Sequence, residues 1–109
     1  MTLERKTIAT GIVMALLLAS GCAWVRLTPE GESVRVVSAD AVATCQRIGA
    51  THSKTSERAG IFARSPGKID EEVEFLARNE AANMGGDAIV PQGPTSKDGR
   101  RSFDVYRCD

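Results

Sequence analysis

A chain of 109 residues with 14 basic and 14 acidic side chains has room for one small domain and carries no net field to steer it toward nucleic acid. One histidine and three cysteines, with no Cys-x-x-Cys, argue against a zinc site of about four closely spaced ligands and against a thioredoxin-like redox centre. No serine sits in a Gly-x-Ser-x-Gly elbow, and Gly85-Gly86 ends a helical pattern where a dinucleotide fingerprint would open one, so neither a cofactor nor an enzymatic activity is expected.

The chain opens with Glu4, Arg5 and Lys6, followed by an apolar run from Ile8 to Ala19. A run of about twelve residues is too short to span a membrane as a helix and fits the centre of a secretory signal. It ends in Leu18-Ala19-Ser20-Gly21-Cys22, which resembles the lipobox of bacterial lipoprotein precursors, with Ala19 where Leu is commonest. The resemblance implies a cleaved signal peptide over residues 1–21, expected to stand apart from the domain as a helix. It also implies acylation of Cys22, with membrane attachment worth about 0.8 kcal/mol per buried methylene. Ala23 follows Cys22 where Asp would favour inner-membrane retention, which implies the periplasmic face of the outer membrane. Trp24 and Val25 are either headgroup-level anchors or incidental parts of the link. Residues 22–31 are expected to be the lipidated Cys and a short tether, with turn chemistry at Thr28-Pro29-Glu30-Gly31, and residues 32–109 a single domain.

Within the domain, Ser33 to Val37 is β-branched and reads as a strand, followed by a turn at Ser38-Ala39-Asp40. A second strand is expected over 43–53, with Gly49 as a candidate bulge. Ser, Lys, Arg, Gly and Pro then break the pattern from Ser53 to Gly67, which reads as a long loop. Ile69, Val73, Leu76, Glu80 and Met84 fall on one helical stripe, with Phe75, Ala77, Ala81 and Ala82 beside it. Asp70, Glu71, Glu72 and Glu74 lie in its first turns, where the helix dipole favours negative charge, and Gly85-Gly86 ends it. A short buried strand, Asp87 to Pro91, follows. After a polar turn from Gln92 to Gly99, Ser102 to Cys108 alternates, Phe103 and Val105 facing one way and Asp104 and Tyr106 the other. The expected fold class is α+β: a small, mainly antiparallel sheet in the order β-β-α-β-β, with one helix on one face and the last two strands as an antiparallel pair.

With Cys22 acylated, Cys45 and Cys108 are the two thiols left to oxidise in the periplasm, and a disulfide between them is expected. It would close a loop of roughly sixty residues and add about 4 kcal/mol on the chain-entropy model. A domain with this few large apolar residues needs such a staple.

The segment Ala77-Arg78-Asn79-Glu80-Ala81-Ala82-Asn83-Met84-Gly85-Gly86-Asp87-Ala88-Ile89-Val90, with Asp104-Val105-Tyr106-Arg107-Cys108 at the end, resembles the bacterial lipoproteins of domain of unknown function 4156. Val34-Arg35-Val36-Val37 and Cys45 sit where that family has its first strand and first cysteine. The layout is also distantly similar to the outer-membrane lipoprotein that senses envelope stress for the Rcs phosphorelay. That sensor has four domain cysteines and a longer tether, against two cysteines and a short tether here. The resemblance brings no catalytic residues.

The remaining candidate features are polar. His52 has no His or Cys cluster around it and reads as a solvent-facing residue at a loop edge. Glu71, Glu72 and Glu74 read as a solvated helix start. Lys54, Arg58, Arg64 and Lys68 in the long loop, with Lys97, Arg100 and Arg101 in the polar turn, form a candidate surface for anionic headgroups, lipopolysaccharide phosphates or an acidic protein. The expected function is a membrane-anchored, non-catalytic interaction or envelope-stress sensory module, with a structural accessory of the envelope as the alternative.

Overall fold

Alternating strands and a single amphipathic helix leave one economical arrangement, a sheet with the helix laid across one face. The structure, a computed structural model, describes residues 25–59 and 62–109. The expected signal peptide (residues 1–21), the Cys22 lipidation site and Trp24 lie outside the described residues. In chain order the elements are a helical turn α1 (Pro29–Glu32), β1 (Arg35–Val36), a 3-10 turn (Ala39–Val42), β2 (Gln46–Lys54), β3 (Arg58–Ala59), β4 (Phe62–Ala63), the long helix α2 (Pro66–Asn83), β5 (Ala88–Pro91) and β6 (Arg100–Arg107). No helix among the described residues is long and apolar enough to cross a membrane.

The class is α+β, as expected, and the four-stranded sheet is mixed, in the order β1-β5-β6-β2. β6 pairs antiparallel with both β5 and β2, whereas β1 runs parallel to β5. The first two strands therefore occupy opposite edges of the sheet. The register of β2 on β6 shifts between Arg47 and Gly49, so a bulge falls at Ile48, one residue from the glycine that signalled it. The expected long loop is partly ordered: β2 extends to Lys54, and β3 and β4 pair antiparallel as a separate two-stranded ribbon.

The core forms where Phe103 and Val105 of β6 and Ile89 of β5 meet Ala77 and Ala81 of α2, with Val34 closing the side. The alternation expected along β6 is present, since Phe103 and Val105 are fully buried. The helix is phased differently from the expected stripe. Ile69, Glu72, Val73, Ala77 and Ala81 face inward, while Glu80 is exposed and Leu76 lies at the rim. Small residues let the helix lie close to the sheet, so Ala77 and Ala81 take the centre and the larger Leu76 is displaced to the edge. The start of α2 also lies earlier than the apolar pattern suggests. Ser65 caps it by accepting from the Lys68 N–H, and Pro66 occupies the first helical position, which needs no N–H donor.

At the other end, Gly85 adopts φ +85°, and the N–H groups of Gly85 and Gly86 donate to the carbonyls of Ala82 and Ala81. This is the Schellman pattern, and it requires a left-handed residue after the cap. Gly86 is needed for a second reason, because a Cβ there would run into the Val105 side chain.

The expected tether is not a tether over its described part. The Thr28 amide and hydroxyl both donate to Asn79 Oδ1, at 2.9 and 3.0 Å, and Asn79 Nδ2 donates to the Arg26 carbonyl at 2.7 Å. Arg78 donates to the carbonyls of Gly31, Glu32 and Val34. Two adjacent side chains of the helix thus satisfy the backbone of residues 26–34. That replaces the water a free tether would use.

Candidate anion-facing site

Cross-strand register decides which cations meet. Lys54 lies opposite Arg100, Ser53 opposite Arg101 and His52 opposite Ser102. Since Thr51 and Ser53 are buried on the helix side, the period-2 alternation puts His52 and Lys54 on the sheet face away from the helix. His52, Ser53, Lys54, Arg100, Arg101 and Ser102 together line a surface depression of about 300 Å³. A second depression of about 400 Å³ shares Arg100, Arg101 and Ser102 and continues along the loop from Gln92 to Asp98.

His52, Ser102, Arg100 and Arg101 are each held by a neighbour. His52 Nδ1 and Ser102 Oγ are 2.8 Å apart. Arg101 donates from Nε to the Gly93 carbonyl at 2.7 Å, and its guanidinium lies over the Phe103 ring, 5.3 Å from the centroid. Arg100 pairs with Asp98 at 3.0 Å. The Ser96 hydroxyl donates to Asp98 and holds that carboxyl below its ordinary range; burial opposes the shift, and Arg100 adds to it. Among the described residues Lys54 has no salt-bridge partner. Like charges placed opposite each other, as Lys54 and Arg100 are, disfavour the pairing they sit on. An anionic ligand would relieve this, and the lysine, guanidinium and hydroxyl donors suit a carboxylate or a phosphate.

Of the seven cations singled out from sequence, the fold sets Lys54 and Arg100 side by side on the face away from the helix; Arg101, opposite the buried Ser53, lies on the helix side and borders the same depression. Arg64 turns inward to Glu72. Lys68 pairs with Glu71 at 3.4 Å along the helix. Lys97 lines a separate depression with Pro66, Ile69 and Asp70, and Arg58 sits in β3. His52 is exposed, as expected, but lies within β2 instead of at a loop edge, and with Ser102 it joins the cluster unforeseen. The detectable signal was its spacing: two residues before Lys54 in a strand means the same face.

Glu72 overturns the expectation of a solvated helix start. Only 2 % of its side chain is exposed, and 7 % of its partner Arg64. Arg64 Nη2 donates to Glu72 Oε1 at 2.6 Å, and Thr55 Oγ1 donates to Oε2 at 2.8 Å. Because α2 starts at Pro66, Glu72 falls one turn after Ile69 and beside Val73 on the inward stripe. The Arg64 hydrogen bond holds its carboxyl below the usual carboxylate range, burial opposes this, and the Thr55 hydroxyl adds to it. Arg64 is raised in turn, chiefly by its bond to Glu72. This cluster ties the end of β2 to the start of α2.

Cys45 and Cys108 are joined by a disulfide across a sequence separation of 63. The Cys108 N–H donates to both carboxylate oxygens of Asp87, at 3.0 and 3.2 Å. Among the described residues no group of three or more His, Cys, Asp or Glu side chains could hold a metal ion.

Comparison with known proteins gives the same picture along the whole domain. A family model described as "Domain of unknown function (DUF4156)" matches residues 25–108. The chain is similar to the uncharacterized protein YjeI of Escherichia coli K12, with 35 % identity over 109 residues, covering 90 % of this chain and 92 % of that protein. The same values hold for the protein of that name from Escherichia coli O6:H1 and from Shigella flexneri. No solved structure matches.

Proposed function

The chain belongs to the family described as Domain of unknown function (DUF4156), and on that premise we propose that it is a non-catalytic interaction module, held by acyl chains on Cys22 at the periplasmic face of the outer membrane, that meets an anionic partner through Lys54, Arg100 and Arg101. What carries the reading is the placement of Lys54, Arg100 and the Ser102 hydroxyl on one face at the β2 end of the sheet, around a depression that Arg101 borders. An envelope-stress sensory role is the form of interaction we propose.

The docking of residues 26–34 supports the choice of a protein partner over the anchoring membrane. Arg26 is bound to Asn79, so at most about 14 Å of extended chain separates Cys22 from the folded body. The docked segment runs from Arg26 through Val34 into β1, and β1 is the edge opposite β2. Three strand spacings, about 14 Å in all, separate the two edges. The docked segment thus enters the sheet at the edge farther from the cationic depression, which favours a partner other than the anchoring membrane.

Cell fractionation tests the anchor. The wild-type chain is expected in the outer membrane and Cys22→Ala in the soluble periplasm; an uncleaved chain in the cytosol with reduced thiols overturns the reading. Replacing Lys54, Arg100 and Arg101 with Glu together is expected to abolish in-cell crosslinking to the partner and to change an envelope-stress reporter. Detergent sensitivity with a flat reporter would instead favour a structural accessory.

A further inference from the structure

We propose that the outer edge of β2, from Ala50 to Lys54, accepts an extended segment of another polypeptide as an added strand, one whose residues alternate between apolar and acidic. The proposal deepens the interaction reading above by naming the partner's chemistry, and it rests on that reading only for the role of Lys54 and Arg100.

The backbone parity of β2 follows from two hydrogen bonds. The Thr55 N–H donates to the Gly99 carbonyl at 2.9 Å, one step beyond the Lys54–Arg100 pair, so Thr55 and Gly99 form a hydrogen-bonded pair. Such pairs alternate with non-bonded ones in an antiparallel ladder. Ser53 and Thr51 therefore turn their N–H and C=O groups to β6, while Ala50, His52 and Lys54 turn theirs outward. The Gln92 N–H donating to the Ser102 carbonyl gives the same parity from the far side of β6. Register is continuous from Gly49 to Lys54, so this stretch of edge is regular. β2 is the terminal strand of the sheet, and an unpaired edge is a template for another strand.

Beside that edge lies a depression of about 520 Å³, lined by Ala50 to Lys54 together with Leu76 and Glu80 of α2. Thr51 is among the lining residues, and its buried Oγ1 has no hydrogen-bond partner. Strand addition uses main-chain hydrogen bonds for affinity and alternate side chains for specificity. Here the helix-side residues of an added strand would meet Leu76. Those on the other side would meet His52, Lys54 and Arg100, so apolar and acidic residues must alternate. A second copy is the poorer occupant, since it would bring two sets of these cations together with only Asp98 in each to offset Lys54 and Arg100.

The test is amide hydrogen exchange and chemical-shift mapping on the full chain in zwitterionic detergent, titrated with a synthetic Val-Glu alternating peptide of about eight residues. Inorganic phosphate and a Val-Lys peptide of the same length serve as the comparisons. The expected result is slowed exchange at the amides of residues 50, 52 and 54 with the Val-Glu peptide alone, weakened at least about tenfold by Lys54→Glu. Ala50→Pro, which removes an outward N–H and leaves the ladder to β6 intact, is expected to abolish protection with little change in melting temperature. If Ala50→Pro unfolds the chain, Lys54→Glu and the exchange data still decide. The proposal is overturned if phosphate reproduces the peptide's shifts with no amide protection, in which case the cationic site stands without strand addition. It is also overturned if the two peptides bind alike, or if protection grows with protein concentration in the absence of peptide, which would mark a self-paired edge.

Discussion

β2 is held at both ends by devices of opposite character. Next to its first residue, Cys45 is bonded covalently to Cys108 at the end of β6, closing a loop of 63 residues. Just past its last residue, Thr55 and Arg64 grip the Glu72 carboxylate, joining segments no more than 17 residues apart. A covalent link works by removing conformations from the unfolded chain, so its value grows with the loop it closes and does not depend on pH. A buried ion pair works in the native state, where each charge is taken out of water and is tolerable only while the other is present. The first device is sensitive to reductant, the second to acid.

The largest effect should come from the covalent end. Replacing both Cys45 and Cys108 with Ser is expected to lower unfolding free energy by about 4 kcal/mol, read from urea titrations. Reductant should reproduce the loss in the wild-type chain and do nothing further to the double variant. A stability unchanged by reductant would break the comparison.

The clasp should follow closely. Glu72→Ala removes one half of a buried, hydrogen-bonded ion pair, and a loss of about 3 kcal/mol is expected. Acid sharpens the contrast. The Glu72 carboxyl sits below its ordinary value of 4.5, so its stabilisation is complete above that pH and disappears as pH falls through the lower native value. Glu72→Gln should flatten this part of the acid limb, while the Cys45→Ser, Cys108→Ser variant should keep it.

Asn79→Ala tests a third tie, away from β2. It removes three hydrogen bonds to Arg26 and Thr28, and about 1–2 kcal/mol of local stability is expected to go with them. Protease cleavage within residues 25–32 should accelerate while the acid and reductant responses of β2 stay as they are. The smallest effect lies between the two ends. Thr51→Val removes a buried hydroxyl that has no partner and keeps its shape, so stability should rise by up to about 1 kcal/mol, measured as a higher melting temperature. A large loss would mean that Thr51 Oγ1 has a structural partner.

Several features were legible because their causes are local. The end of α2 was visible in Gly85-Gly86, since only a residue free to take positive φ can close that cap. Phe103 and Val105 alternate with polar neighbours, so β6 declared its buried face. The strand order was not legible, because β1 and β2 both precede the helix and nothing nearby says which one β5 will pair with. Glu72 was misread because a glutamate in an acidic first turn looks solvated until the helix phase is known, and that phase depended on Ser65-Pro66, hidden in a segment full of loop residues. In the candidate site, Lys54 and Arg100 were visible as cations, but their adjacency depends on the antiparallel register of β2 and β6.

By itself, the order of residues determined the class of fold, the presence of the last two strands, the stop of the helix and the stock of cations, because each follows from backbone preferences and side-chain alternation within a few residues. Tertiary structure alone decided that β1 and β2 would lie at opposite edges, that Arg78 and Asn79 would bind residues 26–34, that Arg64 would be spent on a buried glutamate, and that two of seven cations, Lys54 and Arg100, would lie side by side on one face. Those outcomes depend on packing between segments tens of residues apart, where the close fit of Ala77 and Ala81 to the sheet sets the phase of the helix and the register of β6 sets its neighbours.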